Sequence, residues 1–255
     1  MRELAIIIPT KNEENTIPYL VNSIKEQTFK DWTIILADSP KSIDRTKEVA
    51  KDYGCFIVKG GTLSEGRNRG MDEAVKKGFN LCMLIDADAV LPSRNFLEQA
   101  VDEFYGRKLD LAGTTQKPFN YKTKIDLGNV IETCERSRDW KCNSLYEIVN
   151  LSLKKLQTSK KHPCMQQCMI VKSELYEIFG GFDEKMNFGE DSDYSERAIK
   201  AGYKFGILED CGKVFTSTRR FEGKFWKVVF NQAKFNWERF HGKKHLNGEI
   251  DYYNL

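Results

Sequence analysis

The chain has 255 residues, of which 40% are hydrophobic, and a formal net charge of +3 at pH 7. This length and composition suffice for one large domain with a substantial core. The nearly neutral balance argues against nucleic acid as the main partner, because nucleic-acid-binding domains usually carry a strong basic excess. No apolar stretch approaches the roughly 20 residues of a membrane span, and no signal pattern opens the chain, so we expect a cytoplasmic protein.

The first half of the chain alternates between short apolar runs and segments with helical spacing. The apolar runs predict buried strands at residues 4–8, 33–37, 55–58, 81–85 and 109–113. Helical spacing and capping residues predict helices at residues 17–24, after Asp44, at 65–77 and at about 95–105. Strands that alternate with helices in this way predict an α/β fold with a mostly parallel sheet flanked by helices.

The alternation breaks after about residue 120. Residues 120–165 are polar and mostly helical in pattern, without a strong strand signal. Further elements are predicted at residues 169–171 (strand), 175–179 (helix), 193–201 (helix) and 203–208 (strand). We therefore predict one main domain over residues 1–220 with a helical insertion at about 120–165, followed by a C-terminal helical extension at 221–255.

The extension carries an apolar stripe. Its members recur at spacings of four and three residues: Trp226, Phe230, Ala233, Trp237 and Phe240. This spacing predicts one face of an amphipathic helix. The simplest interpretation packs the stripe on the main domain. The alternative is peripheral contact with a membrane, in which basic residues approach anionic lipid, namely Lys224, Lys227, Lys234, Arg239, Lys243 and Lys244.

The fourth apolar run ends in two carboxylates, Asp86 and Asp88, with one small residue between them. Ligands of an open α/β sheet bind outside the carboxyl ends of its strands. Two carboxylates fixed there supply the hard oxygen ligands that suit Mg²⁺ or Mn²⁺ carrying phosphate oxygens. Taken alone, such a pair often only forms a turn after a strand. Whether it binds a metal therefore depends on the residues at the other strand ends.

Polar clusters follow the other strands as well. Residues 9–14 follow the first strand, Asp38 follows the second, and Arg67 and Asn68 lie in the segment after the third. The glycine fingerprint of dinucleotide-binding folds and the Walker loop are both absent from the sequence. The polar first turn suits a base and a ribose better than a pyrophosphate placed on a helix N-terminus.

These clusters occur in the order found in the inverting GT-A glycosyltransferases of family 2, which the chain resembles over about residues 4–220. The resemblance rests on residues 6–14, 38–46, 66–70, 86–88 and 180–193. It implies a GT-A nucleotide-diphospho-sugar transferase fold. It also implies transfer of a sugar from a nucleotide diphosphate sugar to an acceptor, with inversion and with a divalent metal. Residues 1–220 would then be the catalytic domain, and the helical insertion would lie on the acceptor side.

The resemblance also implies roles for individual residues. Asp88, with Asp86, would bind Mg²⁺ or Mn²⁺. The donor would be held by Pro9, Thr10, Glu13, Asp38, Arg67 and Asp86. A carboxylate at Asp38 can accept the imide N–H of uracil, which favours a UDP-sugar over a GDP-sugar. For Arg67, the simpler alternative is that it only caps or pairs on a helix.

The acceptor side of the resemblance falls on Glu190 and Asp191. Asp191 would be the general base that removes the proton of the acceptor hydroxyl during attack. The alternative is that the two acids only stabilise the N-terminus of a helix through its dipole. Arg219 and Arg220 could stabilise the departing diphosphate, since guanidinium groups match phosphate oxygens; the alternative is a solvated pair. We expect the side chains of Asp38, Asp88 and Asp191 to line one common cleft.

The acceptor would be a saccharide or a lipid-linked molecule. Two other functions remain compatible with the same residues. One is a polyprenyl-phosphate sugar synthase that works at the membrane surface, and the other is a catalytically silent module that binds nucleotide sugars. Retention of Asp86, Asp88 and Asp191 argues against the silent module.

Overall fold

A computed structural model describes residues 3–120, 125–156, 167–186 and 189–241. The strands are β1 (Leu4–Thr10), β2 (Trp32–Asp38), β3 (Phe56–Lys59), β4 (Leu81–Ile85), β5 (Ala89–Val90), β6 (Leu111–Thr114), β7 (Gln116–Phe119), β8 (Cys168–Lys172), β9 (Phe205–Leu208) and β10 (Val214–Ser217). The helices are α1 (Ile17–Lys25), α2 (Thr46–Asp52), α3 (Leu63–Lys76), α4 (Phe96–Gly106), α5 (Val130–Thr133), α6 (Trp140–Leu156), α7 (Ser173–Phe179), α8 (Glu190–Lys200) and α9 (Phe225–Phe240). A 3₁₀ turn at Arg219–Phe221 precedes α9.

Within the described residues, seven strands form the main sheet in the order β3-β2-β1-β4-β8-β6-β9. Among them only β8 is reversed, since it pairs antiparallel with both β4 and β6. The predicted mostly parallel sheet flanked by helices is therefore confirmed. The strand predicted at residues 169–171 enters the middle of this sheet against the direction of its neighbours.

The continuous apolar runs follow from burial of the sheet on both faces. Alternate residues of β1 belong to separate cores, with Leu4, Ile6 and Ile8 in one and Ala5 and Ile7 in the other. Side chains of a strand alternate between the two faces, so a strand covered on both sides has no polar face. This packing fixes the ends of β1, β2 and β4 at one edge of the sheet.

A smaller sheet, in the order β5-β10-β7, was not predicted. Strand β5 has only two residues and β7 contains Pro118, so neither shows a clear strand pattern. Phe215 and Thr216 of β10 pair with Val90 and Ala89, directly after Asp88. This pairing holds the segment before Arg219 against the end of β4.

Several predicted boundaries differ from the structure. Helix α8 begins at Glu190, earlier than predicted, directly after Gly189 with a φ of 75°. Asp44 lies just outside α2, where its carboxylate accepts from the amides of Thr46 at 3.1 Å and Glu14 at 3.0 Å. The described part of the insertion is helical, as predicted, over α5 and α6. Residues 121–124 and 157–165 of the predicted insertion lie outside the described residues.

The predicted C-terminal helix forms as α9, but its apolar stripe does not pack on the main domain. Trp226, Phe230 and Trp237 are exposed to 69%, 70% and 64%, whereas Val228 is buried. The packing interpretation is therefore wrong for these residues, because the helix rests on a different face. The side chains of Arg239 and Phe240, and all of residues 242–255, lie outside the described part. In that part, no helix is both long and apolar enough to cross a bilayer.

Candidate functional site

A cleft of about 340 Å³ opens where β1 and β4 end, beside the end of β2. Three segments that are distant in sequence bring charged side chains to it. These are the turn after β1, the turn after β4, and the 3₁₀ turn after β10. The predicted site residues that line the cleft are Pro9, Thr10, Glu13, Asp86, Asp88, Arg219 and Arg220.

The turn that carries Asp86 and Asp88 is held by backbone hydrogen bonds. The Asp86 amide donates to the Gln167 carbonyl at 3.0 Å, and the Ser217 amide donates to the Asp88 carbonyl at 3.1 Å. Burial raises the pKa of Asp86, the Arg67 guanidinium opposes that rise, and the neighbouring Asp88 adds to it. The buried carboxylate of Asp88 and the half-buried carboxylate of Asp86 are thus fixed close together, where a cation would stabilise them.

Arg219 supplies positive charge to this cleft. Its Nε lies 3.4 Å from Oδ2 of Asp88, and its guanidinium also donates to the carboxylate of Glu13. Burial raises the pKa of Glu13 despite that contact, and the charge of Asp88 contributes to the rise. Arg220 lines the same cleft, and its charge opposes the raised pKa of Asp86. The alternative of a solvated arginine does not describe the contacts of Arg219.

The ends of β1 and β2 bring Thr10 and Asp38 together, as expected. Thr10 pairs with Asp38 in the strand register, and its hydroxyl donates to Oδ1 of Asp38 at 3.0 Å. The Ser42 hydroxyl donates to the same oxygen at 2.8 Å. Asp38 lines an adjoining depression that it shares with Pro40 and Ser42. Ser42 was not predicted as a site residue, although its place in the segment after Asp38 gave a clue.

Arg67 lies behind Asp86 and is not among the described residues that line the cleft. It is 5% exposed, its Nη2 lies 3.3 Å from Oδ1 of Asp86, and its Nη1 donates to Glu190. The sequence interpretation placed it near the base and phosphate of a donor. In the structure it joins the end of β4 to the start of α8.

The segment before α8 is also fixed by α3. The Asn68 amide group donates to the Phe182 carbonyl at 2.9 Å, and the Phe182 amide donates back to Oδ1 of Asn68 at 2.8 Å. Gly180 and Gly181 have φ angles of 71° and 80°, which glycine adopts without strain. This segment therefore acts on the site indirectly, by holding the chain before α8.

Glu190 and Asp191 occupy the first turn of α8, and both are buried. Burial raises the pKa of Glu190 to about 7, the Arg67 guanidinium opposes the rise, and the adjacent Asp191 adds to it. Oδ1 of Asp191 accepts from the Ser192 amide at 2.7 Å. The charge of Asp191 also contributes to the raised pKa of Asp86, which places the two carboxylates near each other.

Neither this cleft nor the adjoining depression is lined by Asp38, Asp88 and Asp191 together. Asp88 lines the cleft, and Asp38 lines the adjoining depression. Asp191 is not among the described residues that line either depression. The charge of Asp191 acts on Asp86, which does line the cleft, and Asp191 itself is buried.

Removal of the Arg67 side chain is expected to destabilise the fold. Arg67→Ala would leave Asp86 and Glu190 buried without the charge that compensates them, and breaking such a pair costs about 3–5 kcal/mol. Arg69→Ala is the matched control, since Arg69 lies on the same helix but is exposed. Its effect should stay within about 0.5 kcal/mol. Urea unfolding of both variants measures the difference, and equal midpoints would contradict the assigned role of Arg67.

The comparisons with known proteins agree with this geometry. Residues 5–179 match the model of glycosyl transferase family 2. Glycosyltransferase AglE of Haloferax volcanii is 24% identical over 214 residues, which cover 81% of this chain and 64% of AglE.

Two solved structures share the fold. TarS of S. aureus, in complex with UDP, superposes with a TM-score of 0.63 at 16% identity, covering 85% of this chain and 60% of that one. The mannosyltransferase PcManGT of Pyrobaculum calidifontis, in complex with GDP-Man and Mn²⁺, gives a TM-score of 0.65 at 18% identity, covering 96% and 65%. The chain thus spans less than two thirds of the length of AglE, TarS and PcManGT.

At these identities the structural likeness establishes the GT-A fold. The family match is independent of it and extends over well more than half of the chain, from the start of β1 to the end of α7. Sequence, sheet order and the charged cleft agree, and the chain therefore belongs to glycosyl transferase family 2.

Proposed function

We propose that this protein is a metal-dependent, inverting glycosyltransferase that moves a sugar from a nucleotide diphosphate sugar to a hydroxyl acceptor. The observation that carries the proposal is the cleft itself. It combines the carboxylates of Asp86 and Asp88 with two arginines, directly beside the Thr10–Asp38 pair. Acidic groups that can bind a cation, next to guanidinium groups that can bind phosphate, suit a cation-bridged diphosphate.

The residues present fit a divalent cation. Asp88 would hold it, with Asp86 beside it, and both offer the hard oxygens that Mg²⁺ and Mn²⁺ prefer. Among the described residues, no cluster of three acidic, histidine or cysteine side chains could complete a metal site. Phosphate oxygens of the donor and water would supply the missing ligands. When bound, the cation would neutralise charge that develops on the diphosphate as the sugar departs.

The nucleotide would lie along the ends of β1 and β2. Asp38 keeps one carboxylate oxygen occupied by Thr10 and Ser42, which fixes the orientation of the group. Its other oxygen could accept the imide N–H of uracil, and this favours UDP over GDP. Glu13 lies across the cleft from Asp88, where Arg219 links the two. Arg219 and Arg220 would bind the diphosphate oxygens as guanidinium forks.

Asp191 would act as the general base. The acceptor hydroxyl has a high pKa, so a carboxylate that takes its proton during attack lowers the barrier. Support comes from the position of Asp191 at the start of α8, close to Asp86 of the cleft. A base on the face opposite the leaving group gives a single displacement and hence inversion. Glu190, which pairs with Arg67, would position this turn.

The test is a panel of nucleotide sugars incubated with Mn²⁺ and with saccharide and polyprenyl-phosphate acceptors, with nucleoside diphosphate release as the measurement. We expect release that requires both the metal and one class of donor, with UDP-sugars turned over faster than GDP-sugars. Calorimetric binding of a nucleotide sugar without turnover on any acceptor would contradict the transferase assignment and favour a silent module. Equal turnover in the presence of a chelator would contradict metal dependence.

A further inference from the structure

Helix α9 presents its apolar stripe to solvent. Residues 226, 230, 233 and 237 share one face at 3.6 residues per turn, and Trp226, Phe230 and Trp237 are each more than 60% exposed. Two large indole rings and a phenyl ring exposed on one stripe form a contiguous apolar patch, which in a folded protein usually marks an interaction surface. We call this surface the aromatic stripe.

The opposite side of α9 holds the helix on the main domain. Val228, two residues after Trp226 and so roughly across the helix, is 6% exposed. The Phe225 ring packs on Phe221, with centroids 5.6 Å apart, and Phe221 in turn contacts Tyr146 of α6 at 6.2 Å. The orientation of α9 is therefore set by its inner face, and the aromatic stripe points outward as a consequence.

The flank of the aromatic stripe is basic. Lys227 and Lys234 are exposed and lie beside the stripe on the helix surface, and Lys224 is exposed just before the helix begins. Residues 224–241 contain four lysines or arginines and one acid, Glu238. Aromatic side chains on one face of a helix can enter the interfacial region of a bilayer, and lysines beside them can approach anionic headgroups.

The length of α9 suits a helix that lies along a bilayer. Its 16 residues extend about 24 Å, which is short of the about 30 Å of the hydrocarbon core. Glu222 and Lys224 line the cleft immediately before the helix starts. A surface that binds α9 would therefore lie next to the opening of the cleft.

We propose that the aromatic stripe and its lysine flank are a docking surface for an anionic lipid bilayer, which holds the cleft at the membrane surface. The inference goes beyond sugar transfer and does not depend on it. If the proposed function also holds, this placement favours an acceptor carried by a lipid over a free saccharide.

The test is flotation of the whole chain with phosphatidylcholine vesicles, with and without phosphatidylglycerol. We expect flotation with the anionic vesicles and a decrease at high salt. Trp226→Ser/Phe230→Ser/Trp237→Ser should weaken the partition coefficient by about tenfold or more, because it removes most of the apolar area that would be buried. Lys227→Gln/Lys234→Gln should weaken it by about 25-fold on anionic vesicles, at about fivefold for each lysine.

The matched control is Phe56→Ser/Ile178→Ser, which removes two exposed apolar side chains that lie on β3 and α7 rather than on α9. This control should float like the wild type. Failure of the wild type to float, or wild-type flotation of the aromatic variant, would overturn the proposal. A dimer that the aromatic variant converts to a monomer, without vesicle binding, would show that a second copy covers the stripe. None of these readouts requires turnover, so they separate this inference from the proposed function.

Discussion

Replacement of Asp88 by asparagine is expected to lower the rate of sugar transfer by at least about 100-fold. Asparagine preserves the shape of the side chain but removes the charge that would hold a divalent cation at the end of β4. The same change should weaken Mn²⁺ binding in the presence of UDP. The measurement is nucleoside diphosphate release at saturating donor, with a Mn²⁺ titration of each variant.

Asp52→Asn provides the control for this change in charge, because Asp52 is exposed at the end of α2, outside the described lining of the cleft. It should behave as the wild type in both measurements. Thermal unfolding separates a lost ligand from a lost fold, since Asp88 is buried beside Arg219. A folded Asp88→Asn protein with near wild-type turnover would rule out the metal-ligand role.

Replacement of Asp191 by asparagine is expected to reduce transfer by about 10²–10⁴-fold while leaving UDP binding close to that of the wild type. The amide cannot take a proton from the acceptor, but it fits the same space and can still accept from the Ser192 amide. The donor site depends on the strand ends, so it should be intact. Single-turnover transfer and calorimetry with UDP and Mn²⁺ measure the two effects separately.

Glu196→Gln is the matched control on α8, because Glu196 lies further along the same helix and pairs with Lys200. It should transfer sugar as the wild type does. A different pattern for Asp191→Asn would reassign the residue: loss of UDP binding in step with transfer would place Asp191 in the donor site. Unchanged transfer would exclude Asp191 as the general base.

The sheet could be predicted from sequence because its strands are buried on both faces and read as continuous apolar runs. The same runs end in Thr10, Asp38 and Asp86, so the edge at which the polar groups meet could also be predicted. The reversal of β8 could not, because an apolar strand carries no mark of its direction. That reversal places Gln167 beside Asp86 and so helps to shape the turn before Asp88.

The contacts of the two key arginines could not be predicted either. Arg67 follows the third strand, and only the folded structure shows that it pairs with Glu190 at the start of α8 rather than lining the cleft. Arg219 reaches Asp88 because β10 pairs with the two-residue strand β5, which is too short for a sequence pattern. The exposure of Trp226 was missed for another reason: spacing identifies an apolar face but not the direction in which that face points.

The proposed function requires the end of β4 and the arginines after β10 to hold a cation-bridged nucleotide diphosphate. Crystals soaked with Mn²⁺ and UDP would reveal the cation through the anomalous signal of manganese. We expect one manganese peak against the Asp88 carboxylate, with the diphosphate between it and Arg219 and the uracil beside Asp38. A manganese peak away from Asp88, or UDP bound outside this cleft, would rule out this binding mode.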